Sequence, residues 1–373
     1  MPKLSKKVAA DLAELGMEES VHVPFEPVPR YEMMLSTGST LLDVAITGKR
    51  IHGGGIPGGI IVEIYGPSGK GKTAIAVEIG ASAQAMGGTV RFNDPEGRLD
   101  KEYASLYGLE IDKQNYSASD TVEEVFEDLK KWFAEDLPKD KMHVYICDSI
   151  AALSTAQEME DNDKTGMGRA KALSQTMRRI ARLVSNKHRL VVFTNQIRQK
   201  PSMGGYGGPT EVTPGGEAVK FYASLRMRVG SVATMNKITV TKKIRGVEVE
   251  RVMGINSLVH ISKNSCGSPF REAQITIIFD YGLDDVRANL EFCKQFEVAS
   301  EASDEDVVEG KSKKMKAYVI GDFKTVRLPN AIKHVEDNNL QETLKENTIA
   351  LWKEIEANFA TERKPKMRFH ADG

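Results

Sequence analysis

The sequence predicts an α/β fold: a mainly parallel central β-sheet flanked by helices, with a short helix before it and a small α/β domain after it. Three observations carry this. Gly59-Ile60-Ile61-Val62-Glu63-Ile64-Tyr65 is an apolar, β-branched run that reads as a strand buried on both faces. It is followed by a glycine-rich turn and by helix formers from Ala74 to Met86, which end at Gly87-Gly88. Further apolar strands alternate with helical stretches down the chain, which is the pattern of a parallel sheet with helical crossovers.

The turn is Gly66-Pro67-Ser68-Gly69-Lys70-Gly71-Lys72-Thr73, which fits the phosphate-cradling pattern G-x-x-x-x-G-K-[ST]. Its glycines let backbone N–H groups approach phosphate oxygens, and the cradle runs on to Ala74 at the helix start. Lys72 is placed to reach the β- and γ-phosphates, and the Thr73 hydroxyl to coordinate Mg²⁺. The bland alternative is a tight turn that holds no ligand.

Thr89 to Asp94 reads as the second strand, followed by Pro95-Glu96-Gly97-Arg98-Leu99-Asp100. Carboxylates just beyond strand C-termini lie where open α/β sheets place ligands. Glu96 is therefore a candidate to activate a water, or else an acid that merely solvates a loop. Thr121 to Phe133 reads as a helix with Val122, Val125, Phe126, Leu129 and Phe133 on one face. His143 to Asp148 is a third apolar strand ending in an acid, the Walker B arrangement, with Asp148 in the Mg²⁺ shell through Thr73 or water. Arg169 to Leu183 is a basic helix carrying Lys171, Arg178, Arg179 and Arg182. Arg189 to Thr194 is a fourth strand, ending in Asn195-Gln196, neutral amides able to bond a phosphate or a water without adding charge.

Ile197 to Thr213 is expected to be a long glycine-rich loop, with Arg198, Lys200, Met203 and Tyr206 interleaved. Basic and stackable side chains together suit single-stranded nucleic acid, although such a loop is also the composition of a plain lid. After Gly215-Gly216 come a helix, Glu217 to Leu225, and a strand from Leu225 to Val229. Lys237 to Glu250 reads as a hairpin around Arg245-Gly246, and Ser257–Lys263 and Ala273–Phe279 as alternating strands. From about Gly282 charged helices take over. An acidic stretch, 301–309, meets a basic one, 311–316, and a helix from Leu340 to Phe359 bears Leu344, Leu351, Ile355 and Phe359 as its stripe. The division expected is 1–34, an N-terminal oligomerisation helix and linker; 35–282, the core; and 283–373, a small C-terminal domain with a basic tail.

At 40% hydrophobic and 28% charged residues this is the composition of a soluble globular protein, and no apolar run is long enough to span a membrane. Three dispersed cysteines make neither a disulfide framework nor a metal site, and a cytoplasmic location is expected. The net charge of −1 requires any nucleic acid to be met by a local basic surface.

Taken together, Ser36-Thr37-Gly38-Ser39, Glu63-Ile64-Tyr65-Gly66-Pro67, Asp148-Ser149-Ile150-Ala151-Ala152-Leu153, Asn195-Gln196-Ile197-Arg198 and the block from Gly215 to Ser224 resemble the RecA recombinase family. The resemblance runs from about Leu35 to Phe279. It implies a RecA-type P-loop ATPase core that binds ATP and Mg²⁺, polymerises on single-stranded DNA and pairs it with homologous double-stranded DNA. It implies catalytic roles for Glu96 as base, Lys72, Gln196 as γ-phosphate sensor and Lys263 across a subunit interface. Asp100 and Tyr103 would lie against adenine, Lys220, Phe221 and Lys263 at the interface, and Arg226 at a position linked to DNA or to the interface. Met167, Gly168, Arg169, Arg178, Arg198, Lys200, Met203, Tyr206, Gly215 and Gly216 would meet DNA. Loader or single-strand-binding proteins are further partners of such a filament. One departure stands out. The family's Lys-x-Lys pattern is Lys263-Asn264-Ser265 here, while Lys70 adds a cation inside the P-loop, either as partial replacement or as a solvated surface lysine. A RecA-fold motor or helicase, and more remotely a P-loop kinase, are the other readings.

Overall fold

The computed structural model describes residues 33–159, 167–184, 188–200, 210–213, 216–232, 237–297 and 316–363. The expected N-terminal helix and linker, the charged stretch 301–315 and the tail from 364 lie outside the described residues.

The chain enters through β1 (Met34–Leu35), α1 (Thr40–Thr47) and β2 (Ile56–Pro57), where β1 and β2 pair antiparallel. β3 (Ile60–Gly66) leads into α2 (Lys72–Ala85), followed by β4 (Val90–Asn93), α3 (Lys101–Leu106), β5 (Tyr116–Ser117), α4 (Val122–Ala134) and β6 (His143–Cys147). Next come α5 (Ala156–Met159), α6 (Met167–Leu183), β7 (Arg189–Gln196), β8 (Arg198–Lys200), β9 (Thr210–Val212) and α7 (Gly216–Tyr222). β10 (Leu225–Ser231), β11 (Lys237–Ile244), β12 (Val247–Asn264), β13 (Glu272–Ile278) and β14 (Gly282–Leu283) complete the main sheet. The chain closes with α8 (Asp285–Lys294), β15 (Tyr318–Ile320), β16 (Phe323–Thr325), α9 (Leu328–Asp337) and α10 (Gln341–Asn358).

The sheet runs in the order β14-β13-β12-β10-β3-β7-β6-β4-β5, with β11 paired on β12. The stretch from β10 to β5 is parallel throughout, and the strands on the β12 side are antiparallel. This is the mainly parallel, helix-flanked sheet that the sequence predicts. β3 sits inside it and is buried along its whole length. Its alternation shows why. Ile60, Val62 and Ile64 join Ile75, Ile79 and Leu190 in one apolar cluster, whereas Ile61 joins Leu129, Tyr145, Val191 and Ile180 in another. One face is covered by α2 and the other by α4 and α6.

Local chemistry fixes the helix starts. Thr121 caps α4 through a reciprocal box: its hydroxyl accepts from Glu124 N, and the Glu124 carboxylate accepts from Thr121 N. The buried face of α4 includes Trp132 beside Val122, Val125 and Leu129, whereas Phe126 and Phe133 are only half-buried. The hairpin between β11 and β12 turns at Arg245-Gly246, where both residues have positive φ (50° and 85°), as a two-residue type I′ turn requires.

Three expectations need correction. The segment after Gln196 is not irregular throughout: its two ends pair as the antiparallel ribbon β8–β9, with residues 201–209 outside the described residues. The run Ser257–Lys263 is not a separate strand but the second half of the 18-residue β12, whose first half projects with β11 as a solvent-exposed ribbon. In α10 the buried positions are Leu344, Thr348, Ile349 and Trp352, and Phe359 is 81% exposed. Ile349 and Trp352 pack on Val44 of α1, which turns the helix away from the simple stripe.

The loop into α1 is tied by a buried acid. Asp43 accepts from Ser36 Oγ (2.5 Å), Thr37 N (2.8 Å) and Thr37 Oγ1 (2.7 Å). Burial pushes its pKa up to about 7, with Asp285 adding repulsion. Glu78 is likewise raised to about 7 by burial. An acid whose folded pKa is raised contributes stability that is complete below its unfolded pKa and is lost as pH rises through the folded value. Unfolding free energy should therefore fall as pH rises from about 4 to above 7, by at most about 1.4 kcal/mol per pH unit for each such group. Asp43→Asn keeps an acceptor for Thr37 and should flatten the decline in denaturant titrations run across that range. An unchanged slope would remove Asp43 as its source.

Candidate nucleotide and DNA site

β3 delivers the chain to the P-loop, and Gly71 turns it into α2. Gly71 has φ +92°, and a Cβ there would lie 2.2 Å from Ile277 Cδ1, so only glycine fits. No side chain caps α2, so its first-turn N–H groups remain available to an anion, which the helix dipole favours. Lys72 Nζ donates to Pro67 O at 2.8 Å. Burial lowers its pKa, opposed by the charges of Asp148 and Glu96.

Asp148 follows the last residue of β6. Its Oδ2 accepts from Thr73 Oγ1 at 2.6 Å, and its Oδ1 accepts from Thr194 Oγ1 of β7. Burial raises its pKa, and the two hydroxyls oppose that. A hydroxyl and a carboxylate in contact form an oxygen-only donor pair. No cluster of three metal-ligating side chains occurs among the described residues. The set fits Mg²⁺, which takes one or two protein oxygens and completes its octahedron with phosphate and water.

β4 supplies the third part. Asp94, buried at the strand end, accepts from Glu96 N (3.2 Å), Leu99 N (2.7 Å) and Tyr116 Oη (3.0 Å), which shapes the 95–99 loop. Glu96 Oε1 accepts from Ser149 Oγ (2.8 Å) and from Gln196 Nε2 (3.2 Å), and Glu96 Oε2 pairs with Arg98 Nη1 at 2.9 Å. The peptide between Asp148 and Ser149 is cis. Lys72, Thr73, Glu96, Tyr103, Asp148 and Gln196 line one cavity of about 380 Å³. A larger cavity of about 680 Å³ lies among α8, β15 and α10 and gathers none of these groups. Asp100 caps α3 by accepting from Glu102 N and Tyr103 N, and Tyr103 leans on Tyr107 with hydroxyls 2.9 Å apart.

Thus Lys72, Thr73, Glu96, Asp100, Tyr103, Asp148 and Gln196, far apart in sequence, come together at the carboxyl ends of β3, β4, β6 and β7. Sequence reasoning missed Ser149, Thr194, Asp94 and Arg98. Thr194 had a readable signal, a hydroxyl at the end of a buried strand, but its partner depends on the β6–β7 register.

Beside the pocket lies a buried charge pair. Glu63, 0% exposed, accepts from Arg226 Nε (2.5 Å) and Asn195 Nδ2 (2.9 Å), and Arg226 stacks over Tyr65. Arg226, for which the resemblance implies DNA or interface contact, is instead occupied inside the protomer. Lys263 donates to Lys220 O (2.9 Å) and Phe221 O (2.8 Å), and burial and Arg226 lower its pKa. Phe221 is 74% exposed, and Ser265 is exposed too. Arg178 Nε donates to Tyr222 Oη across α6 and α7. Met167 and Gly168 begin α6 with Arg169, Arg198 and Lys200 lie in β8, and Gly216 begins α7. Met203, Tyr206 and Gly215 lie outside the described residues.

The family model for the RecA N-terminal domain matches residues 25–284. The chain belongs to the RecA family. Protein RecA of Synechocystis sp. is 35% identical over 293 residues, covering 76% of this chain and 76% of its own. The mitochondrial DNA repair protein recA homolog 3 of Arabidopsis thaliana is 36% identical over 258 residues, covering 68% of this chain and 55% of its own. Among solved structures, the RadB recombinase aligns with 68% of this chain and 100% of its own, at 19% identity and a TM-score of 0.45. The chain is a RecA-like recombinase of the recombination and repair class. No helix among the described residues is long and apolar enough to cross a membrane.

Removing one partner of a buried ion pair typically costs about 3–5 kcal/mol, whereas replacing both by apolar groups of similar volume is near neutral. Glu63→Gln should therefore lower the unfolding free energy from denaturant titration by that amount, and Glu63→Leu with Arg226→Met should recover most of it. Equal losses in both variants would show that the pair is not what holds β3 to β10.

Proposed function

We propose that this RecA-family chain is an ATP-dependent recombinase that polymerises on single-stranded DNA and pairs it with homologous duplex. Hydrolysis, at a site completed by the adjacent protomer, releases the DNA. The observation that carries the reading is the meeting of Lys72, Thr73, Glu96, Asp148 and Gln196 around one cavity. Thr73 and Asp148 would hold Mg²⁺, which when bound would supply positive charge to offset the charge that develops at the phosphates.

The chain's own residues divide the remaining work. Lys72 leaves the Pro67 carbonyl for the phosphates. Glu96 takes the proton of the attacking water, and Ser149 and Gln196 hold its Oε1. Gln196 ends β7, and after one intervening residue, Ile197, the chain enters the β8–β9 ribbon. A change at the γ-phosphate thus moves the base of the glycine-rich segment, for which Arg198, Lys200, Met203 and Tyr206 are the proposed DNA contacts. Met167, Gly168, Arg169, Arg178, Gly215 and Gly216 belong to the same DNA face in this reading. Asp100 and Tyr103 flank the adenine. Lys220, Phe221 and Lys263 form the protomer contact, consistent with the exposure of Phe221. The working division remains 1–34, 35–282 and 283–373, in a cytoplasmic protein.

ATP hydrolysis measured with and without single-stranded DNA, over a range of protein concentrations, tests the whole reading. Strong stimulation that rises cooperatively with protein is expected, and DNA-independent turnover would point to another RecA-fold motor. Lys72→Ala should abolish hydrolysis. Glu96→Gln should bind ATP, lose about 10²–10⁴ in turnover and persist on DNA. Rapid DNA release by that variant would remove Glu96 as the base. DNA affinity should fall steeply with salt, because the contacts are to the backbone.

A further inference from the structure

Arg98 is a cation at the mouth of the nucleotide cavity that the fold does not need. Its side chain is 78% exposed, and it pairs with the Glu96 carboxylate, 2.9 Å away. An exposed ion pair of this kind is worth about 0–1 kcal/mol, so exchanging it for another anion costs little. The loop is built for such an exchange. Asp94 grips it on both sides, at Glu96 N and Leu99 N, while Gly97 between them has φ +61° and nothing within 4 Å of its Cβ position. Arg98 lines the same cavity as Lys72, Thr73 and Gln196, the groups assigned to the phosphates.

The arrangement also gives both oxygens of Glu96 a partner. Oε1 is held by Ser149 and Gln196, and Oε2 by Arg98. Three of the carboxylate's roughly four acceptor sites are then taken, and Arg98 competes with a water for Oε2, the oxygen that Ser149 and Gln196 leave open. We propose that Arg98 is a cis-acting catalytic cation: at rest it holds Glu96 Oε2, and with nucleotide bound it transfers to the γ-phosphate oxygens. One motion then frees the base and adds positive charge where the transition state gathers negative charge. In the step it serves, the water oxygen bonds to the γ-phosphorus and the bond from phosphorus to the β,γ-bridging oxygen breaks. The electron pair leaves with ADP, and the water proton passes to Glu96. The inference rests on the ATP-hydrolysis reading of this cavity and adds a residue to it.

The test compares the full chain with Arg98→Ala and Arg98→Lys. Turnover at saturating ATP should fall about 10²–10³-fold in Arg98→Ala, the size of one lost transition-state donor, with KM changed far less. Arg98→Lys should recover part of the loss, and added guanidinium should partly rescue the alanine variant. Affinity for ADP with aluminium fluoride should drop more than affinity for a non-hydrolysable ATP analogue. Unchanged turnover would make Arg98 a surface ion pair only, and a rise would make it a simple lock on Glu96; either result overturns the proposal. The comparison is a ratio between variant and parent with and without DNA. A parent whose hydrolysis ignores single-stranded DNA would therefore count against the recombinase reading, and leave the ratio to decide the role of Arg98.

Discussion

Asp148 is the joint on which the site depends. Its two oxygens take hydroxyl groups from Thr73 at the start of α2 and from Thr194 near the end of β7, so three elements are fastened through one carboxylate. The β6–β7 register makes this unavoidable: Cys147 lies opposite Phe193, so the next residues along each strand face each other across the sheet edge. Burial makes the charged form of Asp148 expensive, and hydroxyls compensate only in part. A divalent cation is the group that would complete the compensation. Ser149 follows at once and reaches Glu96, so the proposed base is tied to the residue next to Asp148, the proposed metal-facing acid.

A second constraint lies in the neighbouring strands. β3 is covered on both faces, and Glu63 in its middle must find partners inside the sheet. It finds them on the two neighbouring strands, Arg226 on β10 and Asn195 on β7. Asn195 in turn accepts from Gln196 N through its side chain, next to the residue that meets Glu96. The nucleotide pocket is thereby attached to the strand that leads to the opposite edge. This is a connection in space, and coupling along it would have to be measured by double-mutant cycles.

The sheet and the P-loop were legible because they rest on patterns that sequence carries directly. Apolar runs, helix formers and turn residues place β3, α2, β6 and β7 within a residue or two. Glu96, Asp148 and Gln196 were legible for a related reason: each stands at the carboxyl end of an apolar run, and parallel strands gather those ends. What sequence could not carry was pairing between distant strands. Whether Arg226 faces DNA or Glu63 depends on β10 lying beside β3 with Arg226 opposite Glu63. The ribbon β8–β9 was hidden because its strands are three residues each and flank a glycine-rich stretch that dominates the composition. The face of α10 was misread because Trp352 and Ile349, meeting Val44, outweigh the Leu351–Ile355–Phe359 stripe.

Lys263 shows how a residue can serve the fold and still be available to a partner. Its ammonium group donates to the carbonyls of Lys220 and Phe221 near the end of α7, where the helix dipole favours a cation. Those bonds satisfy terminal carbonyls and hold α7 against β12. In the proposed protomer contact, a Lys263 that turned to a neighbour's phosphate would give up these two bonds at the end of α7. Phe221, at that same end, is the large apolar side chain left in solvent. Release of Lys263 and burial of Phe221 are therefore linked by geometry: a protomer that covers Phe221 also changes the surroundings of the lysine. With Ser265 in place of a second lysine, this turn offers no further cation beside Lys263, so if the proposed protomer contact forms, more of the positive charge at the phosphates would have to come from the groups that line the cavity.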